Sequence, residues 1–195
     1  AQALSKTHPV TLADCDVEEP NCALFVEGED EISSYHVKDY QFNNLACTRC
    51  QACVTACRFN AIAISANGPI LFKELCHGCG GCVLSCPSGA ITETQRHAGL
   101  ILQRLTDDFQ LVSGELTIGE AMATPLILAL KQTLDPSRLN LLDCPPGASC
   151  SMIAAVRGSR LVILITEPTP FGLNDLQMAV AALREMAQPF CVVIN

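Results

Sequence analysis

The sequence predicts an α/β fold on a mostly parallel sheet, interrupted by a small cysteine-rich α+β module. Three observations carry this expectation. Short, unbroken apolar runs alternate with segments of helical periodicity, as in strands covered on both faces. Eight of the thirteen cysteines fall into two groups of identical spacing. The 195 residues, 49% of them hydrophobic, suffice for one substantial domain and a smaller one.

The apolar runs define the body. "VTLADCD" (Val10 to Asp16) is a β-prone run that ends on two aspartates. "LNLLDCPPGASC" (Leu139 to Cys150) repeats the theme, with a strand ending at Asp143 and a Pro-Pro-Gly turn after it. "RLVILITEPTP" (Arg160 to Pro170) and "PFCVVIN" (Pro189 to Asn195) supply two more β-branched strands. Between these two, Leu173, Leu176, Val180 and Leu183 recur at helical spacing, with Asn174 as the predicted cap. A second helix is predicted over residues 119–134, where Pro125 implies a kink or a late start. In such a fold ligands bind at the carboxyl ends of strands. Asp14, Asp16, Asp143, Glu167 and Asn195 all fall there.

The cysteine groups have their own logic. Cys47, Cys50, Cys53 and Cys57 form C-x2-C-x2-C-x3-C, and Cys76, Cys79, Cys82 and Cys86 repeat it, followed by Pro87. An offset of 29 relates the two runs and also superposes Ala61-Ile62 on Ala90-Ile91. Three cysteines spaced this way can wrap a loop around one face of a cubane, while a short helix carries the fourth away. Zinc would use two pairs per site and gives the third cysteine no role. The block resembles bacterial-type two-[4Fe–4S] ferredoxins over residues 45–92, with Arg58 where the first run would carry proline. In such ferredoxins the fourth cysteine ligates the other cluster. The resemblance thus implies one cluster on Cys47, Cys50, Cys53 and Cys86, and a second on Cys76, Cys79, Cys82 and Cys57. Gly78, Gly80 and Gly81 let the second loop turn closely and offer N–H groups to sulfur. His77 is expected to shape its loop rather than to ligate.

Composition narrows the function classes. A formal charge of −8 with only four lysines argues against nucleic acid or an anionic membrane as partner. No apolar run reaches the roughly 18 residues of a membrane span, and no export signal precedes Val10. The odd cysteine count argues against a disulfide framework, so a reducing, cytoplasmic setting is expected. Cys22 and Cys191 are expected to be small core residues, while Cys15, Cys144 and Cys150 fall in loops beside the strand ends.

"ADCDVEEPN", "LLDCPPGASC", "LITEPTPFGLNDL" and "FCVVIN" occur in the order found in MinD-type P-loop ATPases. Together with the cysteine block they resemble the subfamily with an inserted ferredoxin domain, a group related to the nitrogenase iron protein and to ATP-dependent iron–sulfur carriers. The resemblance implies a P-loop NTPase-type sheet from residues 1–39 and 96–195, with the ferredoxin module over 40–95. It also implies that Asp16 positions the attacking water and Asp143 reaches Mg2+, with Asp14 beside them. By the same resemblance Gly147 senses the γ-phosphate and Asn195 reads the base of ATP. Carboxylates that hold magnesium and water suit phosphoryl transfer, which is mostly positioning and charge stabilisation.

One part of that pattern is missing. No Gly-Lys dipeptide occurs in the chain, so no residue pair here would form the loop that cradles the β- and γ-phosphates. The expectation is a fragment whose parent carries that loop upstream. The function expected is coupling of nucleotide state to electron transfer or cluster handling, with a redox partner or an iron–sulfur acceptor protein, in a homodimer. The alternative is a ferredoxin-type carrier without ATPase activity.

Overall fold

The computed structural model describes all residues from 1 to 195. In chain order its elements are α1 (Gln2–Ser5), β1 (Val10–Asp14), β2 (Glu31–Phe42), α2 (Ala52–Ala56), β3 (Ile62–Ser65) and β4 (Gly68–Leu71). There follow α3 (Gly81–Ser85), β5 (Ile91–Leu105), β6 (Gln110–Leu116), α4 (Thr124–Gln132) and β7 (Leu139–Asp143). The chain closes with α5 (Cys150–Val156), β8 (Val162–Thr166), α6 (Pro170–Glu185) and β9 (Phe190–Ile194). Two compact units result. One comprises residues 1–33, 100–116 and 123–195, the other residues 34–99 and 117–122, so the division falls within β2 and β5.

Five strands form one sheet in the order β2-β5-β6-β1-β7, while β3–β4 and β8–β9 form two-stranded sheets. The large sheet is mixed rather than mostly parallel. β1 runs parallel to both β6 and β7. β5 and β6, however, are joined by a turn in which Thr106 caps the Phe109 N–H and carbonyl, and so tight a connection forces an antiparallel pair. The antiparallel half arises because two long strands enter and leave the cysteine module side by side, a pairing that local apolar patterning does not encode.

In the first unit β1 is the central strand, and Val10, Leu111, Leu126, Ile127 and Leu130 are fully buried around it. Gly114 is required here, since a Cβ on it would lie 2.5 Å from Val17 Cγ1. Pro125 sits in the first turn of α4, which starts late at Thr124 as a proline without an N–H prefers. α6 is capped by Thr169, whose hydroxyl accepts from the Gly172 N–H at 3.0 Å, not by Asn174. The Pro170 that follows fixes the first helical residue and moves the start four residues upstream of the expected cap. Lys131 reaches from α4 to the end of α5 and donates to the carbonyls of Ala154, Ala155 and Arg157 at 2.6–3.0 Å.

β8 and β9 pair in parallel, Val162 with Phe190 through Thr166 with Ile194. Val162, Leu164 and Phe190 pack against Met152, Val156 and Leu183 of α5 and α6. The alternate residues Ile163, Ile165 and Val193 are exposed on the other face. Cys191 shares that face and is exposed, contrary to its expected core position. No helix of the chain is long and apolar enough to cross a membrane.

Candidate iron–sulfur site

The two cysteine runs adopt one backbone shape. Each enters its short helix through two left-handed residues, Arg49 and Gln51 in the first run and Gly78 and Gly80 in the second. A third left-handed position follows each fourth cysteine, Asn60 in one half and Gly89 in the other. All three pairs are separated by the offset of 29 seen in the sequence. α2 and α3 are cut after one turn because Cys57 and Cys86 turn to extended backbone, with ψ of 99° and 107°. The Ala61 N–H then donates to Cys57 Sγ and the Ala90 N–H to Cys86 Sγ, each at 3.3 Å.

This geometry gathers sulfurs from both runs. A small cavity is lined by Cys47, Cys50 and Cys53 of the first run and by Cys86 of the second, with Phe42, Ile64 and Ile91 among its apolar walls. Burial pushes the Cys53 thiol up, with Cys47 and Cys86 adding to the effect. Burial likewise pushes Cys82 up to about 11, and Cys76 and Cys79 add to that. For Cys86 the upward push of burial is outweighed by hydrogen bonds from the Ser88 hydroxyl and the nearby backbone, so its thiol lies below the ordinary range. Cys57 and Cys76 pack on the core formed by Tyr40, Cys53, Ile62, Cys82 and Ile91. The donor set is therefore soft thiols, four of them lining one apolar-walled pocket, with backbone N–H groups aimed at sulfur, which fits an iron–sulfur cluster. His77 stacks on Phe59 with ring centroids 3.7 Å apart.

The body holds a second constellation. Asp14 and Asp143 are register partners on β1 and β7. Asp14 is only 1% exposed. One of its oxygens accepts from the Asp16 N–H, and the other from the N–H groups of Asn21 and Cys22 at 3.0 and 2.9 Å. Its carboxylate thus organises the loop after β1. Asp143 is exposed and accepts from the Cys22 thiol at 3.1 Å, a contact that spans 121 positions and left no trace in the sequence. Ligating atoms of Asp14, Cys22 and Asp143 lie within 4.8 Å of one another. Burial, then the hydrogen bond to Asp143, pushes the Cys22 thiol far up. Burial and the neighbouring Cys144 push Cys15 up to about 12, so neither Cys15 nor Cys22 has thiolate character. Asp16 is half-buried beside this group. Gly147 is exposed with φ +80° and open space around it. Asn195 sits at the end of β9, where its N–H donates to the Thr166 carbonyl at 2.9 Å. Asp14 and Asp143 are therefore brought together at strand ends of the large sheet, Asp16 lies in the loop just after β1, and Asn195 follows the separate β8–β9 pair.

Residues 46–91 match the 4Fe-4S dicluster domain family, and this part of the chain is an iron–sulfur, ferredoxin-like domain. Over 199 residues the chain is 32% identical to the uncharacterized protein MJ0578 of Methanocaldococcus jannaschii, covering 100% of this chain and 70% of that protein. It is 25% identical over 202 residues to the uncharacterized protein MJ0579 of the same organism, covering 97% of this chain and 70% of that protein. The chain belongs to the family of MJ0578.

Proposed function

We propose that this chain carries electrons through two [4Fe–4S] clusters, one held by Cys47, Cys50, Cys53 and Cys86 and the other by Cys76, Cys79, Cys82 and Cys57. The observation that carries this reading is the cavity lined by three cysteines of one run and the last cysteine of the other. When bound, such clusters each take up and release one electron. The chain's own part is to hold the thiolates, aim the Ala61 and Ala90 N–H groups at sulfur, and keep water off the apolar side. Anaerobic reconstitution should give about eight irons per chain with matching acid-labile sulfide. Zinc without sulfide would overturn the reading.

The module, over residues 40–95, would be inserted in a MinD-type ATPase whose nucleotide state governs electron transfer or cluster handling toward a redox partner or acceptor protein. Asp16 would position water and Asp143 would reach Mg2+, with Gly147 and Asn195 serving ATP. Two observations favour this. Asp14, the register partner of Asp143, clamps the loop that carries Asp16. The outer edges of β7 and β8, both parallel strands joined through α5, have no partner strand, and the exposed apolar face of β8–β9 would suit further sheet and helix. The phosphate loop this requires is not among residues 1–195, and the rival reading is a carrier without ATPase activity. ATP titration of the natural full-length protein separates the two. Nucleotide binding that shifts a cluster potential supports the ATPase, and neither binding nor shift overturns it.

A further inference from the structure

The core of the second unit contains a polar atom that its own protein groups do not satisfy. Tyr40 lies near the end of β2, is 4% exposed, and its hydroxyl makes no hydrogen bond. It packs with Cys82, Cys53, Ile62 and Ile91. The hydroxyl lies over the second cysteine loop, 3.8 Å from where a Cβ on Gly80 would stand. A phenolic hydroxyl is a hydrogen-bond donor, and here no protein group accepts from it. Buried hydroxyls are costly in that state, and native structures resolve nearly all of them. Of the groups around it, Gly80, Cys76 and Cys82 belong to the run that would anchor the second cluster, and Cys53 to the run that would anchor the first.

We propose that Tyr40 Oη donates a hydrogen bond to a sulfur of the cluster held by Cys76, Cys79, Cys82 and Cys57, and so raises that cluster's reduction potential. The inference rests on the two-cluster reading above. Its physical basis is that a donor at sulfur stabilises the extra negative charge of the reduced cluster. Tyr40 is a positioning and tuning residue, since the thiolates alone ligate. The acceptor is either a cysteine Sγ or an inorganic sulfide, and both receive the same donor.

The test uses the anaerobically reconstituted holoprotein and its Tyr40→Phe variant. In a redox titration followed by electron paramagnetic resonance, one couple should move to lower potential and the other should stay. The expected shift is a tenfold change in the oxidised-to-reduced ratio at the wild-type midpoint, about 59 mV for a one-electron couple. Resonance Raman spectra of the wild type should show iron–sulfur bands that move in D2O, and the variant should lose the part of that shift due to Tyr40, keeping the part due to backbone N–H groups. A moving terminal band assigns the acceptor to cysteine, a moving bridging band to sulfide. Should Tyr40→Phe lose iron, 3-fluorotyrosine at position 40, a more acidic donor of nearly the same size, should move that couple to higher potential, and an unmoved couple would overturn the proposal. Eight irons with unmoved potentials and the same D2O shifts in variant and wild type overturn the role of Tyr40 only. Four irons per chain overturn the two-cluster reading and this proposal with it.

Discussion

The two halves of the cysteine module share a backbone and differ in what occupies it. Three left-handed positions are filled by Arg49, Gln51 and Asn60 in the first half and by Gly78, Gly80 and Gly89 in the second. Non-glycine residues in this region cost about 1–2 kcal/mol each, yet the first half keeps the same turns. The loop shape therefore comes from the cysteine spacing and the packing beneath it, and glycine only relieves strain that the shape imposes. A further difference lies beside the last cysteine. Ser88 contacts Cys86 Sγ at 3.7 Å, whereas the matching position in the other half is Phe59, which stacks on His77.

The largest test of this pseudo-symmetry removes ligands. Cys47→Ala and Cys86→Ala should each lose about four irons and leave the same residual spectrum, because the proposed assignment puts both on one cluster. Cys57→Ala and Cys76→Ala should leave the other spectrum. Grouping by run, with Cys47 and Cys57 alike, would break the crossed arrangement. Next in size, Gly78→Ala should destabilise the second unit by about 1–2 kcal/mol through its left-handed backbone, since its Cβ would meet only Lys38 Cβ at 3.5 Å. Urea unfolding of the holoprotein measures it, and a cost near zero would mean the loop relaxes freely. The smallest effect is the reciprocal one. Gln51→Gly should stabilise by about 0.5 kcal/mol, since relief of the left-handed strain is partly offset by glycine's greater freedom in the unfolded chain. A loss of stability there would show that the Gln51 side chain contributes packing.

Much of the candidate site was legible because it is local. Cysteine spacing, the 29-residue offset and the strand ends at Asp14 and Asp143 depend only on near neighbours in sequence. The unread parts are long-range. The Cys22–Asp143 bond and the antiparallel entry of β2 beside β5 are set by pairing across many residues. Cys191 looked like core because β9 is uniformly apolar, but register with β8 sends it to the open face. Asp14 was read as a ligand-facing carboxylate, and its oxygens turn out to be occupied by three backbone N–H groups of its own loop.

The bare side of β8–β9 bears on how the polypeptide behaves in a tube. Ile163, Ile165 and Val193 lie on a strand pair with two free edges, which is a template for sticking to another copy. What opposes that is mutual repulsion from a formal charge of −8. Near 0.15 M salt that repulsion fades over about 8 Å. Light scattering at constant protein concentration should therefore rise with ionic strength, and dilute, low-salt buffers are the conditions in which the chain stays dispersed.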